Sequence, residues 1–233
     1  MSAVYKREFK SYFISPIGYV CLTVFVFFEA LFFLNMYSAG YADITAVFSS
    51  MFTITLFLIP ILTMRLLSEE KHQKTDQALL TAPVSLWGIA LGKFLAAFSI
   101  FMLAFSPTLI FQIIFSAVAT TDWLVFLGNL VGTALLGASL IALGMFISSL
   151  TESQIVAAVG SFAASLTILL LDTLASFFNV NFIIKAASYV SFQSRYTDFT
   201  QGTFDISNFL FFLSFTAVFI FLTVRVLEKK RYS

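Results

Sequence analysis

The charged residues of this chain are gathered into short clusters, and the segments between them are long and apolar. No Asp, Glu, Lys or Arg lies between Lys93 and Asp122, or between Asp122 and Glu152. A helix of about 20 mainly apolar residues crosses a bilayer core, and both windows are longer than that. Since 60% of the residues are hydrophobic and only 11% are charged, the composition is typical of a polytopic membrane protein.

Six segments are long and apolar enough to span a bilayer, so we predict an all-α fold in one transmembrane domain of residues 1–233. The predicted spans are residues 17–37, 44–66, 84–119, 123–150, 154–171 and 206–227. Pro60 is expected to kink the second span and Pro107 to bend the third. Gly128 and Gly132 form a GxxxG pattern in the fourth span, which permits close helix packing.

Two further segments are predicted to lie at the membrane surface. In residues 1–15 an apolar helical face opposes Lys6, Arg7 and Lys10, which is typical of an interfacial amphipathic helix. The apolar face consists of Val4, Tyr5, Phe9, Tyr12 and Phe13. Residues 172–205 mix apolar and polar residues too finely to span, so we predict short external re-entrant helices there.

The distribution of basic residues predicts the orientation. With six spans, both termini, residues 67–83 and the turn at 148–153 share one side of the membrane. That side carries eleven of the thirteen Lys and Arg residues, and the other side carries only Lys185 and Arg195. The positive-inside rule therefore places both termini in the cytoplasm and the chain in the cell membrane.

The residues do not predict a catalytic site. His72 is the only histidine and Cys21 the only cysteine, which leaves no metal cluster or disulfide framework. The glycines at 88–93 lack both the spacing and the Ser/Thr of a phosphate-binding loop. We therefore expect no enzymatic activity, no metal and no bound cofactor, and the net charge of +1 gives no reason to expect a nucleic-acid partner.

Two charged residues lie inside predicted spans. Glu29 is in the middle of the first span, where a charge costs about 2.5 kcal/mol or more and marks a functional candidate. One interpretation is a protonated or hydrogen-bonded residue that ties helices together or pairs across a subunit interface. The other is a residue that lines a substrate path or seam. Lys93 lies near the start of the third span, and we interpret it as a residue whose ammonium group reaches the interface.

Residues 67–83 form the only sizeable polar segment, which we name the polar island. A simple connection between two spans needs only a few residues, so its length and charge favour contact with another protein. The alternative is a solvated helical hairpin loop.

The chain resembles ABC-2 type transporter permeases, in the branch that contains the gliding-motility permease. The resemblance lies in the opening YKREFKSYFISPIGYV, the island MRLLSEEKHQKTDQALLTAPVS, the turn GMFISSLTESQ and the tail that begins SRYTDFTQGTFD. Many relatives have Gly where this chain has Lys74 and Glu where it has Gln77.

This resemblance implies a six-span half-transporter that pairs with a second permease copy or a sister permease. It also implies ABC ATPase subunits on separate chains, which bind ATP and dock on the polar island as a coupling helix. The island residues assigned to docking are Glu69, Glu70, Lys71, Lys74, Thr75, Asp76, Leu79, Leu80 and Pro83. The charges would form a rim around an apolar contact that includes Leu79 and Leu80.

Two other functions are compatible with such a membrane domain. One is a non-transporting anchor through which an ATPase transmits force to other proteins. The other is a secondary transporter or channel that works without ATP. That class predicts intramembrane ionisable pairs and broken helices, which the spans lack apart from Glu29.

Overall fold

The computed structural model describes residues 1–41, 43–75, 85–119, 121–177, 191–203 and 205–231. Ten helices and no strands lie within these ranges, which confirms the predicted all-α membrane fold. In chain order the helices are α1 (Ser2–Ile14), α2 (Pro16–Ser38), α3 (Ile44–Thr63), α4 (Ser68–His72), α5 (Leu86–Ala104), α6 (Pro107–Val118), α7 (Trp123–Leu150), α8 (Gln154–Phe177), α9 (Phe192–Thr200) and α10 (Ile206–Arg231).

Short polar side chains mark where several helices begin. The carboxylates of Asp43 and Asp122 accept hydrogen bonds from the second backbone N–H of α3 and α7, at 2.9 and 2.8 Å. The Ser85 and Ser191 hydroxyls cap α5 and α9 in the same way, each at 3.1 Å. Such caps satisfy backbone donors that a helix leaves free at its first turn.

The predicted third span consists of two helices rather than one bent helix. α5 ends at Ala104, and Pro107 begins α6 at a position where its missing N–H costs no helical hydrogen bond. Pro60 lies inside α3, which continues to Thr63. Proline thus divides the third span but does not end the second.

Five candidate spans are long and apolar enough to cross a membrane within the described chain. They are Pro16–Ser38, Ile44–His72, Leu86–Val118, Trp123–Leu150 and Ile206–Arg231, and Gln154–Leu170 is a shorter apolar helix. Because no Gly or Pro follows Leu171, α8 continues to Phe177, six residues beyond the predicted end of the fifth span. The sixth crossing, and with it the predicted division of the domain, stays a prediction.

Helix α7 lies at the centre of the bundle and packs against α3, α5, α8, α9 and α10. Its glycines allow this because a side chain at each would overlap a neighbour. A Cβ atom at Gly132 would lie 2.6 Å from the Cβ of Phe199 on α9. Gly137 and Gly144 similarly meet Phe101 of α5 and Thr63 of α3.

The bundle has two distinct ends. At one end α1, α4, the turn at 148–153 and the C-terminal half of α10 come together, and we name it the island end. At the far end α9 contacts the first turns of α7 and α10. Ring contacts between Phe146 and Phe219, at 5.5 Å, and between Trp87 and Phe221, at 6.3 Å, fix the direction of α10.

Candidate functional site

The side chain of Lys93 joins three helices at the island end. Its ammonium nitrogen lies 3.2 Å from the carboxylate of Glu8 on α1 and 3.1 Å from that of Glu70 on α4. Lys93 itself is only 1% exposed. The interpretation of Lys93 as a residue that reaches the interface is therefore wrong. Its charge is buried, and the two carboxylates that neutralise it come from two other helices.

Arg7 closes this group on the solvent side. Its guanidinium donates to the same two carboxylates, at 2.8 Å to Glu8 and 2.7 Å to Glu70. Burial by itself would raise the pKa of Glu8, but Lys93 and Arg7 outweigh it and hold that pKa below its usual value. The Glu8 carboxylate is therefore charged at neutral pH and balances the nearby cations.

A second contact fixes α1 to the end of α3. The Arg65 guanidinium donates to the Ser11 hydroxyl at 2.5 Å and lies 5.3 Å from the centre of the Tyr12 ring. Tyr12, which is fully buried, donates its hydroxyl to the Leu62 carbonyl at 3.0 Å. Val4 and Tyr12 are the buried residues of this helix, which packs mainly on α5. Its predicted place in the membrane interface stays a prediction.

The last turn of α7 is bonded to the segment that leads into α4. The Ser148 hydroxyl accepts from the backbone N–H groups of Leu67 and Ser68, both at 3.1 Å. It also donates to the Met64 carbonyl at 3.0 Å. A single serine thus satisfies three backbone groups where the chain leaves α3.

Lys71 adds a second bond to the same turn. Its ammonium group donates to the Ser149 carbonyl, and the residue is 7% exposed. The Lys71 side chain is therefore directed into the bundle rather than toward the surface where a rim of docking charges is predicted, and its role in docking stays a prediction. The Glu70 carboxylate is likewise directed into the bundle, because it neutralises the buried ammonium group of Lys93.

The predicted docking residues Glu69, Lys74 and Thr75 remain accessible. Glu69 pairs with Arg65 at 3.5 Å. Lys74 and Thr75 are exposed, and Lys74 has a φ of 55°, in the left-handed region that favours glycine. This backbone conformation gives a physical reason for the glycine that many relatives carry there. The predicted docking residues Asp76, Leu79, Leu80 and Pro83 lie outside the described residues.

Two cavities open at the island end. The first, of about 310 Å³, is lined by charged side chains of α1, α4 and α5 together with Tyr12 and Arg65. The second, of about 410 Å³, lies between His72 and residues 152–155 of the turn. The island end therefore has one cavity lined by the ion-paired side chains and a second cleft beside α4.

Glu29 lies on the buried face of α2 and is 0% exposed. Neither of its carboxylate oxygens has a hydrogen-bond partner among the described residues. The hypothesis that Glu29 ties helices together through hydrogen bonds therefore finds no bond in this part of the chain.

The predicted packing glycines serve contacts within the chain. Gly132 admits Phe199 of the short helix α9, and Gly128 is buried. No three His, Cys, Asp or Glu side chains cluster as metal ligands in the described chain.

Sequence reasoning missed Glu8 and the roles of Ser148 and Ser149. Glu8 is the only acid in the first 28 residues, surrounded by basic neighbours, and that isolation was a usable signal. The serine contacts had no comparable signal, because serines are common at helix ends.

A family model described as "ABC-2 family transporter protein" matches residues 2–233. No curated protein matches the chain.

Proposed function

The chain belongs to the ABC-2 family of transporter proteins, is a multi-pass membrane protein and has a permease role; we propose that it forms half of an ATP-driven exporter. In this proposal it pairs with a second copy or a sister permease in the cell membrane. ATP binds and is hydrolysed on separate ATPase chains, which dock on the polar island from the cytoplasm.

The observation that carries this proposal is the bonding of α4 to three other elements. Glu70 binds Lys93 of α5 and Arg7 of α1, and Lys71 binds the Ser149 carbonyl in the last turn of α7. A force applied to α4 is therefore passed directly to α1, α5 and the central helix. Coupling of an ATPase to a membrane bundle requires a docked element of this kind on a structure with two states.

The first experiment tests the partner. A tagged chain is purified from its own membrane, and copurifying chains are sequenced for a phosphate-binding loop. We expect an ATPase with that motif, and its absence from the wild-type preparation would contradict the proposed function. Leu79→Asp should abolish copurification, because apolar anchors dominate interfaces, whereas Lys74→Ala should have a mild, salt-sensitive effect.

Both variants should insert into the membrane as the wild type does. If Leu79→Asp retains the ATPase at the wild-type level, the docking assignment is wrong, although the exporter role would stand.

A second experiment tests orientation. Single cysteines replace His72 and Thr203, exposed residues at the two ends, in a Cys21→Ala background. Residue 72 is chosen for the island end rather than its neighbour Lys71, because Lys71 is buried. An impermeant thiol reagent should label position 72 only from the cytoplasm and position 203 only from outside. Labelling of both from one side would contradict the proposed topology.

A further inference from the structure

Glu29 needs a partner that the described chain does not supply. A buried carboxyl group is normally hydrogen-bonded, and a bare charge at membrane depth is costly. Here the ionised form has no donor and the protonated form has no acceptor. The basic residue of α5, Lys93, already has its two carboxylates, Glu8 and Glu70. We propose that Glu29 is the anionic centre of a binding site for a lipophilic organic cation.

The surroundings of Glu29 suit a cation in particular. Phe25 and Phe33 lie one helical turn before and after it on the same buried face of α2. The Phe25 ring lies 5.7 Å from that of Phe105, and Phe33 stacks on Phe111 at 4.4 Å. The faces of aromatic rings attract cations, and the attraction is stronger where water is excluded.

The polar side chains of α6, which packs against α2, also favour a cation. On the buried face of α6, the side-chain oxygen of Gln112 has no hydrogen-bond partner. The Thr108 hydroxyl on that face donates its hydrogen to the Phe105 carbonyl. The Gln112 oxygen is therefore a free acceptor at the contact between α2 and α6, while its amide nitrogen donates one of its two hydrogens to the Thr121 hydroxyl at 3.2 Å.

An open groove on α2 borders this site. It has a volume of about 420 Å³ and is lined by Leu22, Thr23, Val26, Phe27 and Ala30. Val26 is three residues from Glu29, so the two are neighbours on the helix surface. Glu29 itself is buried and is not among the lining residues, so the groove holds an apolar body next to the face of α2 that carries Glu29 rather than against the carboxylate. A neutral lipid would gain at most a hydrogen bond from the carboxylate, whereas a cation would also gain from its charge, so the charge favours an apolar molecule with a positive charge.

The division between α5 and α6 lies beside the same site. Phe105, which contacts Phe25, caps the C-terminus of α5 directly after Ala104 and lies two residues before Pro107. Helix ends of this kind absorb the backbone rotations of a hinge. A rotation of α6 about this point would change the contact between α6 and α2, the helix that carries Glu29.

Binding is tested with radiolabelled tetraphenylphosphonium on the full chain in phosphatidylcholine nanodiscs. We expect saturable binding that Glu29→Gln weakens about tenfold or more, because the substitution removes the charge and keeps the shape. The matched control is Glu228→Gln, an exposed acid at the C-terminal end of α10, which should bind as the wild type does. Neutral triphenylphosphine oxide should not compete. Equal affinity in Glu29→Gln, or no saturable binding to the wild type, overturns the proposal.

A measurement on the unsubstituted chain removes dependence on the folding of the variant. Dicyclohexylcarbodiimide modifies carboxyl groups in apolar surroundings, and mass spectrometry of peptides locates the adduct. Tetraphenylphosphonium should slow modification of Glu29, and triphenylphosphine oxide should not. An unchanged rate with the cation, or equal slowing by the neutral compound, contradicts a cation site at Glu29.

The assignment of such cations as exported substrates rests on the proposed function, but the binding site does not. Both assays use the permease without an ATPase. Failure to recover an ATPase would refute the exporter role and leave the binding result unaffected. Failure of cation binding would leave the docking experiments unaffected.

Discussion

The two ends of the bundle are held together by different chemistry. At the island end, three of the contacts between elements are ion pairs, centred on the buried ammonium of Lys93. At the far end, α9 is held mainly by neutral groups. The Tyr196 hydroxyl lies 3.0 Å from the Thr133 hydroxyl and donates to the Phe48 carbonyl at 3.1 Å.

Shape reinforces the neutral contacts of the far end. Phe199 fits against Gly132, and the Phe192 ring packs edge-on against three rings of α10. A charged group also occurs there, where Asn208 accepts from Arg195 at 2.8 Å and donates to Asp198 at 2.7 Å. It links α9 to α10 but leaves the contacts with α7 and α3 neutral.

This difference separates two ways of joining helices. Ion pairs act over several ångströms and respond to a charged partner, whereas neutral hydrogen bonds and close packing are lost after a small displacement. The island end is therefore suited to receive a docked protein, and the far end is suited to hold one fixed arrangement. The following substitutions test that division.

The largest effect should come from leaving Lys93 without its carboxylates. The double substitution Glu8→Gln and Glu70→Gln strands a buried ammonium, which costs about 3–5 kcal/mol. Denaturant-induced unfolding in detergent, followed by circular dichroism, measures the loss. The control Glu228→Gln breaks a partly exposed pair with Arg225 and should cost about 0–1 kcal/mol. A double variant as stable as the control would show that the ion pairs do not hold the island end.

The next effect should come from the tightest contact of the far end. Gly132→Ala places a methyl group against Phe199 and should destabilise the protein by about 1–3 kcal/mol. Gly160→Ala on α8 is the control, because the nearest atom is the γ2 methyl carbon of Ile147 at 3.1 Å, which has to move by only a few tenths of an ångström. The same unfolding assay should show no loss there. Equal behaviour of the two variants would mean that α9 is not closely packed on α7.

Removal of one hydroxyl at the far end should cost less. Tyr196→Phe leaves the buried Phe48 carbonyl and Thr133 hydroxyl without this partner, a loss of about 1–2 kcal/mol. The exposed Tyr19 provides the control, and Tyr19→Phe should be neutral. Because no charge is involved, the loss should be the same at low and high salt. A salt-dependent loss would remove the distinction between the two ends.

The sequence predicted the helices better than the contacts that join them. Uncharged windows and the residues Ser85, Asp122 and Pro107 act locally, so spans and their first residues follow from short stretches of chain. Lys93 was misjudged because its partners, Glu8 and Glu70, are distant in sequence. Their pairing depends on how α1 and α4 fold back onto α5, which no local pattern records.

Glu29 illustrates the same limit from the opposite direction. Its place inside a predicted span was enough to mark it as a functional candidate. Whether other helices supply a hydrogen bond depends on packing, and the described chain supplies none. The sequence could therefore identify the residue but could not choose between the two hypotheses for it.

The smallest effect should be a gain in stability at the island end. Lys74 is the one described residue other than glycine with a positive φ, at 55°. A left-handed conformation costs an L-residue roughly 1–2 kcal/mol, and glycine avoids most of that cost but loses some chain entropy on folding. Lys74→Gly should therefore stabilise the protein by up to about 1 kcal/mol. Gln73→Gly is the control, because φ is −81° there, and that substitution should be neutral or destabilising. If both glycines have the same effect, residue 74 is not strained, and the island end differs from the far end by its charges alone.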